Sequence, residues 1–475
     1  MNKYKKLAFN TVIFAIGTFG SKILVILLTR LYTKYIDPSG MGQKDLLETA
    51  ALFLQPIFTF ALQEYLIRFG LDKKYDKKAV FTTSAVITAV GMLVMALIVP
   101  GLRFVSALNF IRGYSTLLTL YVCISSLRML CAQFVRARDM VQLFALDGIL
   151  ATLSLLVFNF IFIAGFKMGV KGFMLSVILS DLCSSVFLII FGDLRSFFKP
   201  KNFSVPLAKE MMSYSLPLIP TIVMWTITGL SDRIFIKNMH SSRVELGMDQ
   251  VGLYGVANRI PNLISMVSTI FFQAWNMSAI TENDSADRNR FYQRVYSAYE
   301  SILFIASAGL LLLIKPVTAI ITNTNTYPEY RTVYLFTPIL VASVVFMSLN
   351  QFLGGIYTAT RHTKNSFWTS LAACSINLVM NFFLIPAWGI QGAAVATFLS
   401  YFFCFWARII DARYYVPFRY KGGRTLANTA LIFMMTWVII GKFSLPYLWL
   451  FVLFVMVVML NFRPMMTTVR KMLNR

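Results

Sequence analysis

Charge is scarce in this chain of 475 residues: 13% are Asp, Glu, Lys or Arg, against 57% hydrophobic residues. Soluble globular domains carry about 25% charged residues, so a soluble fold is excluded. Histidine is scarcer still. His240 and His362 are the only two, they fall near predicted helix ends, and they form no metal-binding pair. The five cysteines, Cys123, Cys131, Cys183, Cys374 and Cys404, sit inside apolar runs without ligand spacing. They read as small packing residues and predict neither a disulfide nor a metal. There is no Gly-x-x-x-x-Gly-Lys phosphate loop and no Ser/His/Asp set at membrane depth, so no enzyme constellation appears. Segments of about 10 residues with alternating polarity, the mark of membrane β-barrel strands, are missing too.

What is present is a recurrence of apolar runs of about 20 residues, each long enough to cross a bilayer. The fold class is therefore an all-α polytopic membrane protein with about 14 transmembrane helices. The predicted spans are 7–32, 45–68, 79–101, 114–136, 141–165, 170–193, 210–233, 250–277, 294–316, 331–357, 364–386, 389–411, 424–441 and 445–462. The longest connection, Asp193 to Lys209, holds Pro200 and Pro206 and divides the chain. Residues 1–195 form an expected N-terminal six-helix lobe and 196–423 a C-terminal one. Residues 424–475 supply two extra helices with almost no polar face, and a tail.

The chain carries 44 basic and 20 acidic residues, a formal charge of +24. The basic residues gather in alternate short connections, among them Lys73 to Lys78, Arg195 to Lys209, Arg288 to Arg294 and Arg413 to Arg424. That pattern sets topology and calls for no nucleic acid; it places both termini in the cytoplasm. The first run is too long for a signal peptide, lacks a small-x-small cleavage site, and is expected to remain as a helix.

Within that run Thr11, Ala15, Thr18, Lys22 and Thr29 share one helical face. An ammonium such as that of Lys22 costs about 2.5–3.5 kcal/mol at the bilayer centre, so it must face other helices or water. It pairs with a carboxylate, Asp232 or Glu48, or receives an anion. The second helix carries Asp45, Glu48, Gln55, Thr59 and Gln63 on one face, with Glu64 and Arg68 four apart. The seventh carries Pro217, Thr221, Trp225, Thr228 and Asp232, followed by Arg233. The eighth carries Tyr254, Asn258, Asn262, Ser265 and Thr269, beside Arg259. Arg128, Asp147, Asp181, Glu300 and Lys315 are the further buried ionisable candidates. Ion pairing or a helix-end anchor explains each of them structurally, and Asp147 and Asp181 lie deepest, where a coupling proton or sodium ion would bind.

The halves repeat. Leu156-Val-Phe-Asn-Phe-Ile-Phe-Ile163 matches Leu378-Val-Met-Asn-Phe-Phe-Leu-Ile385. Each is followed by a Gly-x-x-Gly turn, Gly169 to Gly172 and Gly389 to Gly392. Weaker matches pair Ser21-Lys22 with Ser231-Asp232 and Gly42 with Gly252. An offset of six helices gives both copies the same orientation in the membrane, as in transporters built from parallel repeats.

Gly17 to Lys22, Leu31-Tyr-Thr33, Asp45-Leu-Leu47, Ser231 to Ile236, Gly252 to Asn258, Asn381, Ile385-Pro386 and Gly389 to Thr397 carry a family likeness. The chain resembles bacterial polysaccharide transporters related to the O-antigen flippases, within the multidrug/oligosaccharidyl-lipid/polysaccharide exporter superfamily. The resemblance implies a multi-pass protein of the bacterial cytoplasmic membrane. It implies a flippase that moves a polyprenyl-diphosphate-linked glycan between leaflets by alternating access, two six-helix lobes enclosing a cationic cavity, and no cofactor beyond a coupling ion. Lys22, Arg30, Arg68, Arg233 and Arg259 are then the expected diphosphate ligands. Thr18, Asn258, Asn262 and Gln273 are expected to meet the sugars. Glu48, Asp147, Asp181 and Asp232 are the candidates for ion coupling. Membrane lipid and a glycan polymerase or glycosyltransferases are the implied partners. A lipid II flippase and a drug antiporter of the same superfamily are alternatives, and a membrane glycan polymerase or ligase is a remoter one, disfavoured by the short outer loops.

Overall fold

In hydrocarbon every backbone N–H and C=O must be satisfied within the chain, and apolar runs of this length meet that demand as α-helices. The computed structural model describes residues 27–473 except 73, 103, 282–286, 361 and 442. Among the described residues the chain is helical with no strand. Ten of these helices are long and apolar enough to cross a membrane.

Of the described residues, those from 27 to 238 form one compact unit. It holds α1 (27–35), α2 (Pro38–Phe58), α3 (Leu62–Leu71), α4 (Lys77–Leu102), α5 (Ser115–Ala137), α6 (Val141–Asn159), α7 (Gly169–Phe191), α8 (Val205–Ser215) and α9 (Ile219–Asn238). Its core gathers Leu62, Tyr65, Leu66 and Phe69 of α3 against Phe81 of α4, Phe134 of α5, Leu188 of α7 and Met211 of α8. The second unit runs from Met239 onward. It holds α10 (Met248–Arg259), α11 (Asn262–Thr281), α12 (Arg288–Leu312), α13 (Ile314–Ile321), α14 (Val333–Ala359), α15 (Thr363–Trp388), α16 (Ile390–Tyr415), α17 (Gly422–Ile440) and α18 (Pro446–Leu473). Here the Trp275 indole stacks on Phe352 at 4.1 Å and donates to its carbonyl at 3.1 Å. The boundary between the units follows α9, which packs on α2.

Several expected spans are interrupted. Span 45–68 is two helices: Pro56 lies in the last turn of α2, and Phe60 and Ala61 both take left-handed backbone, φ 52° and 53°. Span 210–233 passes from α8 through a 3₁₀ turn at Leu216–Leu218 into α9, with Pro217 and Pro220 at the joint. Span 250–277 divides into α10 and α11 around Pro261. Pro lacks the amide hydrogen that continues a helix, which locates the last two breaks.

The repeat is visible in backbone detail. Gly169 and Gly389, which open α7 and α16, both have positive φ, 54° and 58°. A Cβ on Gly172 would lie 3.1 Å from the Phe162 carbonyl, and one on Gly392 would lie 2.1 Å from the Leu384 carbonyl. Phe162 and Leu384 are equivalent in the two copies. Asn159 and Asn381, also equivalent, are both fully buried. The first copy has two more residues before its glycine turn, and its helix widens there into a π-helical stretch, Phe160–Gly165, as an inserted residue requires.

The expectation for the last two helices needs correction. α17 and α18 have a polar seam: Asn428 and Asn461 exchange side-chain amide hydrogen bonds of 3.2 and 2.7 Å, both fully buried. Arg424 and Thr425 of α17 both bond the buried Glu300 carboxylate on α12. These residues stand at the ends of the hairpin, outside or at the edge of the apolar stretches Leu431–Ile440 and Leu445–Asn461 on which the expectation rested.

The glycine contacts predict a graded response. Gly392→Ala forces the α15–α16 turn apart and is expected to cost about 3 kcal/mol, the upper end for overpacking. Gly172→Ala is expected to cost about 1 kcal/mol, because its neighbour need yield only slightly. Thermal unfolding of the two purified variants in detergent checks the order; equal midpoints would show that the turns are not close-packed as described.

Candidate functional site

The first unit concentrates its buried charge in two places. On α2, Lys44 is 1% exposed, an unusual position for a lysine. Its ammonium bonds Glu48 one turn away at 2.7 Å and lies over the rings of Phe173 at 4.1 Å and Tyr32 at 5.0 Å. Asp45, on the next position of α2, accepts from Nε of Arg233 on α9, and Nη1 of that guanidinium donates to the Gly229 carbonyl at 2.6 Å. Asp232 beside it is buried. The helix break after α2 and the proline joint before α9 thus flank a pair of helices joined by charge.

Deeper in the same unit, one guanidinium serves two carboxylates. Arg128 of α5 reaches Asp181 of α7 at 3.1 Å and Asp147 of α6 at 3.4 Å, and its Nε donates to the Ser184 hydroxyl at 2.8 Å. Ser184 in turn donates to Asp147, and Ser125 donates to Asp181. Asp147 is 2% exposed and Asp181 7%. Three helices are therefore fastened by a cluster of one positive and two negative charges.

The second unit has a counterpart in which a guanidinium meets hydroxyls. The offset that aligns Asn159 with Asn381 also aligns Asp147 with Thr369. Arg408 of α16 donates to the Thr369 hydroxyl at 3.0 Å, to Ser370 at 2.9 Å, to Ser366 at 3.3 Å and to the Asn350 carbonyl at 2.9 Å. A guanidinium thus meets the same point of the repeat in both units, against carboxylate in one and hydroxyl in the other. Arg408 was not singled out in the sequence, although an arginine inside the span 389–411 was a readable signal.

The other expected site residues are placed as follows. Lys22 and Thr18 lie outside the described residues, and the side chain of Gln273 on α11 is likewise outside them. Arg30 is exposed on α1. Arg68 is exposed in the last turn of α3 and stacks over Tyr214 at 4.4 Å, beside a polar pocket of about 340 Å³ shared with Asp72, Tyr75 and Glu210. There the Tyr75 hydroxyl donates to Glu210 at 2.6 Å, and this bond raises its pKa above the usual phenol value. Asn258 donates to the Tyr254 carbonyl at 2.9 Å within α10, and Arg259 is half-buried at that helix's end. Asn262 opens α11, its side-chain carbonyl accepting from Ser265 at 3.3 Å. Among the described residues no group of three or more His, Cys, Asp or Glu side chains is arranged to hold a metal ion.

Comparison with known proteins adds a family and a fold. The profile of the family described as polysaccharide biosynthesis protein matches residues 7–276. An uncharacterized membrane protein of Methanocaldococcus jannaschii is 25% identical over 254 residues, covering 50% of this chain and 57% of that protein. An inward-facing multidrug resistance MATE family transporter of the MOP superfamily superposes with a TM-score of 0.70 at 12% identity, covering 87% of this chain and 99% of that one. The lipid II flippase MurJ in an inward closed conformation gives 0.66 at 14% identity, covering 98% and 100%. The fold of this multi-pass membrane protein is that of these transporters.

The charge cluster makes its own forecast. Arg128→Met leaves two buried carboxylates facing each other and is expected to cost about 3 kcal/mol of stability. Adding Asp181→Asn to that variant should restore part of the loss. Unfolding midpoints at neutral pH decide it, and a double variant no better than Arg128→Met would mean that the carboxylates are not held by the guanidinium.

Proposed function

We propose, from the premise that the chain belongs to the polysaccharide biosynthesis protein family, that it is a flippase for a polyprenyl-diphosphate-linked oligosaccharide in the cytoplasmic membrane. The family match over residues 7–276 carries this reading. The chemistry of the cargo supports it. A diphosphate is best met by Arg and Lys, which supply fork-shaped or point-charge donors. Lys44 and Arg233 are cations held in the first unit by carboxylates four residues and one helix away, and Arg259 ends α10 at a helix break. Each sits on an interrupted helix. In a bilayer, irregular backbone is tolerated where it is buried in protein or lines water, the setting a polar headgroup requires.

In this reading the oligosaccharide is met by Asn258, Asn262, Thr18 and Gln273, and the tail remains in lipid. Lys22 and Arg233 take the diphosphate, with Arg30, Arg68 and Arg259 as further cations. Asp147, Asp181, Glu48 and Asp232 supply the ion-coupling carboxylates, for a proton or sodium ion. Both termini face the cytoplasm, and glycosyltransferases and a polymerase act before and after this step.

Reconstitution tests it. Proteoliposomes carrying a polyprenyl-diphosphate oligosaccharide with a fluorescent sugar are expected to translocate the label, read by its accessibility to an impermeant quencher. Lys22→Met should abolish the signal and Lys22→Arg restore part of it. Arg233→Met should slow transport at least tenfold, with Arg233→Lys intermediate. Equal or faster movement of lipid II would reassign the cargo to the peptidoglycan precursor. Proton-driven movement of a drug cation with no glycan transport would make the chain an antiporter.

A further inference from the structure

The first unit contains a cavity of about 520 Å³ between α4, α5 and the turn after α7, within the range of small-ligand sites, about 300–1,000 Å³. Its walls are apolar. Ala85 and Ala89 on α4 leave the space, and Leu127 of α5 closes the opposite side. Along α4 the lining extends from Phe81 to Met92, a rise of about 16 Å at 1.5 Å per residue. That is half of a hydrocarbon core about 30 Å thick, the depth of one leaflet.

One end of this apolar slot is charged. Arg195, in the short turn after α7, lines the cavity and is exposed, with no ion-pair partner among the described residues. The segment around it is strapped to the start of α4: the Thr82 hydroxyl donates to the Phe197 carbonyl at 3.1 Å and accepts from the Lys199 amide at 3.1 Å. Lys199 and Lys201 follow on the same connection, and Lys78 lies one turn before Thr82 on α4. Two carboxylates lie near by in the sequence, Asp76 and the exposed Asp193. Asp76 caps α4 by accepting from the amides of Lys78 and Ala79. Asp193 lies in the field of Arg138, whose guanidinium is held over Phe197 at 4.3 Å, with its pKa lowered by burial.

The geometry points to a binding site for an anionic phospholipid, with one acyl chain in the α4–α5 slot and the phosphate at Arg195. Basic pockets between transmembrane helices at the cytoplasmic side hold acidic headgroups in this manner. A single-leaflet depth suits a phospholipid tail, whereas a polyprenyl chain is longer than the slot. The site is distinct from the cations assigned above to the diphosphate and stands without that assignment.

Two cysteines make the test direct. Cys123 lines the slot, and Cys183 on α7 is exposed outside it. The purified full chain in detergent is treated with N-ethylmaleimide, with labelling at each cysteine followed by peptide mass spectrometry. Phosphatidylglycerol is expected to slow labelling of Cys123 at least fivefold and to leave Cys183 unchanged. Phosphatidylcholine with the same chains should slow it less than twofold, and Arg195→Gln should bring phosphatidylglycerol down to that level. Three results would overturn the inference. One is Cys123 labelling indifferent to phosphatidylglycerol. Another is equal protection by both lipids with no effect of Arg195→Gln. The third is protection by a polyprenyl diphosphate at lower concentration than by phosphatidylglycerol, which would give the slot to the cargo.

Discussion

The first unit depends on one guanidinium shared by two carboxylates. Removing charge from water costs several kcal/mol per ion, and only close, hydrogen-bonded partners return it. Arg128, Asp147 and Asp181 meet that condition with Ser125 and Ser184 completing the bonds, so α5, α6 and α7 are held in a fixed register. The second unit reaches the same node with Arg408 and three hydroxyl-bearing residues. One scaffold thus sets a guanidinium against carboxylates in one copy and against hydroxyls in the other.

Interrupted and uninterrupted helices divide the labour. The long apolar helices, α4 to α7 and α14 to α16 among them, carry the packing between neighbours. Several polar residues expected to meet a cargo, Arg68, Arg233, Asn258, Arg259 and Asn262, lie on α3, α9, α10 and α11, where prolines or left-handed residues end or join the helices. A break costs hydrogen bonds that lipid cannot replace. Such breaks persist where neighbouring helices or water supply partners, so backbone irregularity and polar side chains occur together.

Hydropathy made the membrane class and the long helices legible, and the Asn and Gly positions made the repeat legible, because neither residue is interchangeable with Leu at a buried node or a positive-φ turn. The breaks were partly legible. Pro217 and Pro261 announce themselves, but Phe60 and Ala61 are not turn-forming residues, and nothing local predicts their left-handed backbone. Partners were the least legible part. Helical periodicity places Asp45 and Arg233 on polar faces, yet they are 188 residues apart, and spacing alone does not join them; the pairing of Lys22 with Asp232 or Glu48 falls on a residue outside the described ones. Glu48 bonds Lys44 in the same helix, a lysine that escaped notice because it stands at the edge of an apolar run where an exposed position is the usual one.

The clasp between Asn428 and Asn461 bears on how the last two helices can sit in a membrane. Each amide is satisfied by the other across α17 and α18, so neither helix is comfortable in lipid without its neighbour. Without α18 the Asn428 amide would lose this partner, at the cost of an unpaired polar group in an apolar setting. The two helices of the last hairpin therefore depend on each other: each amide keeps its counterpart's polar atoms satisfied inside the seam.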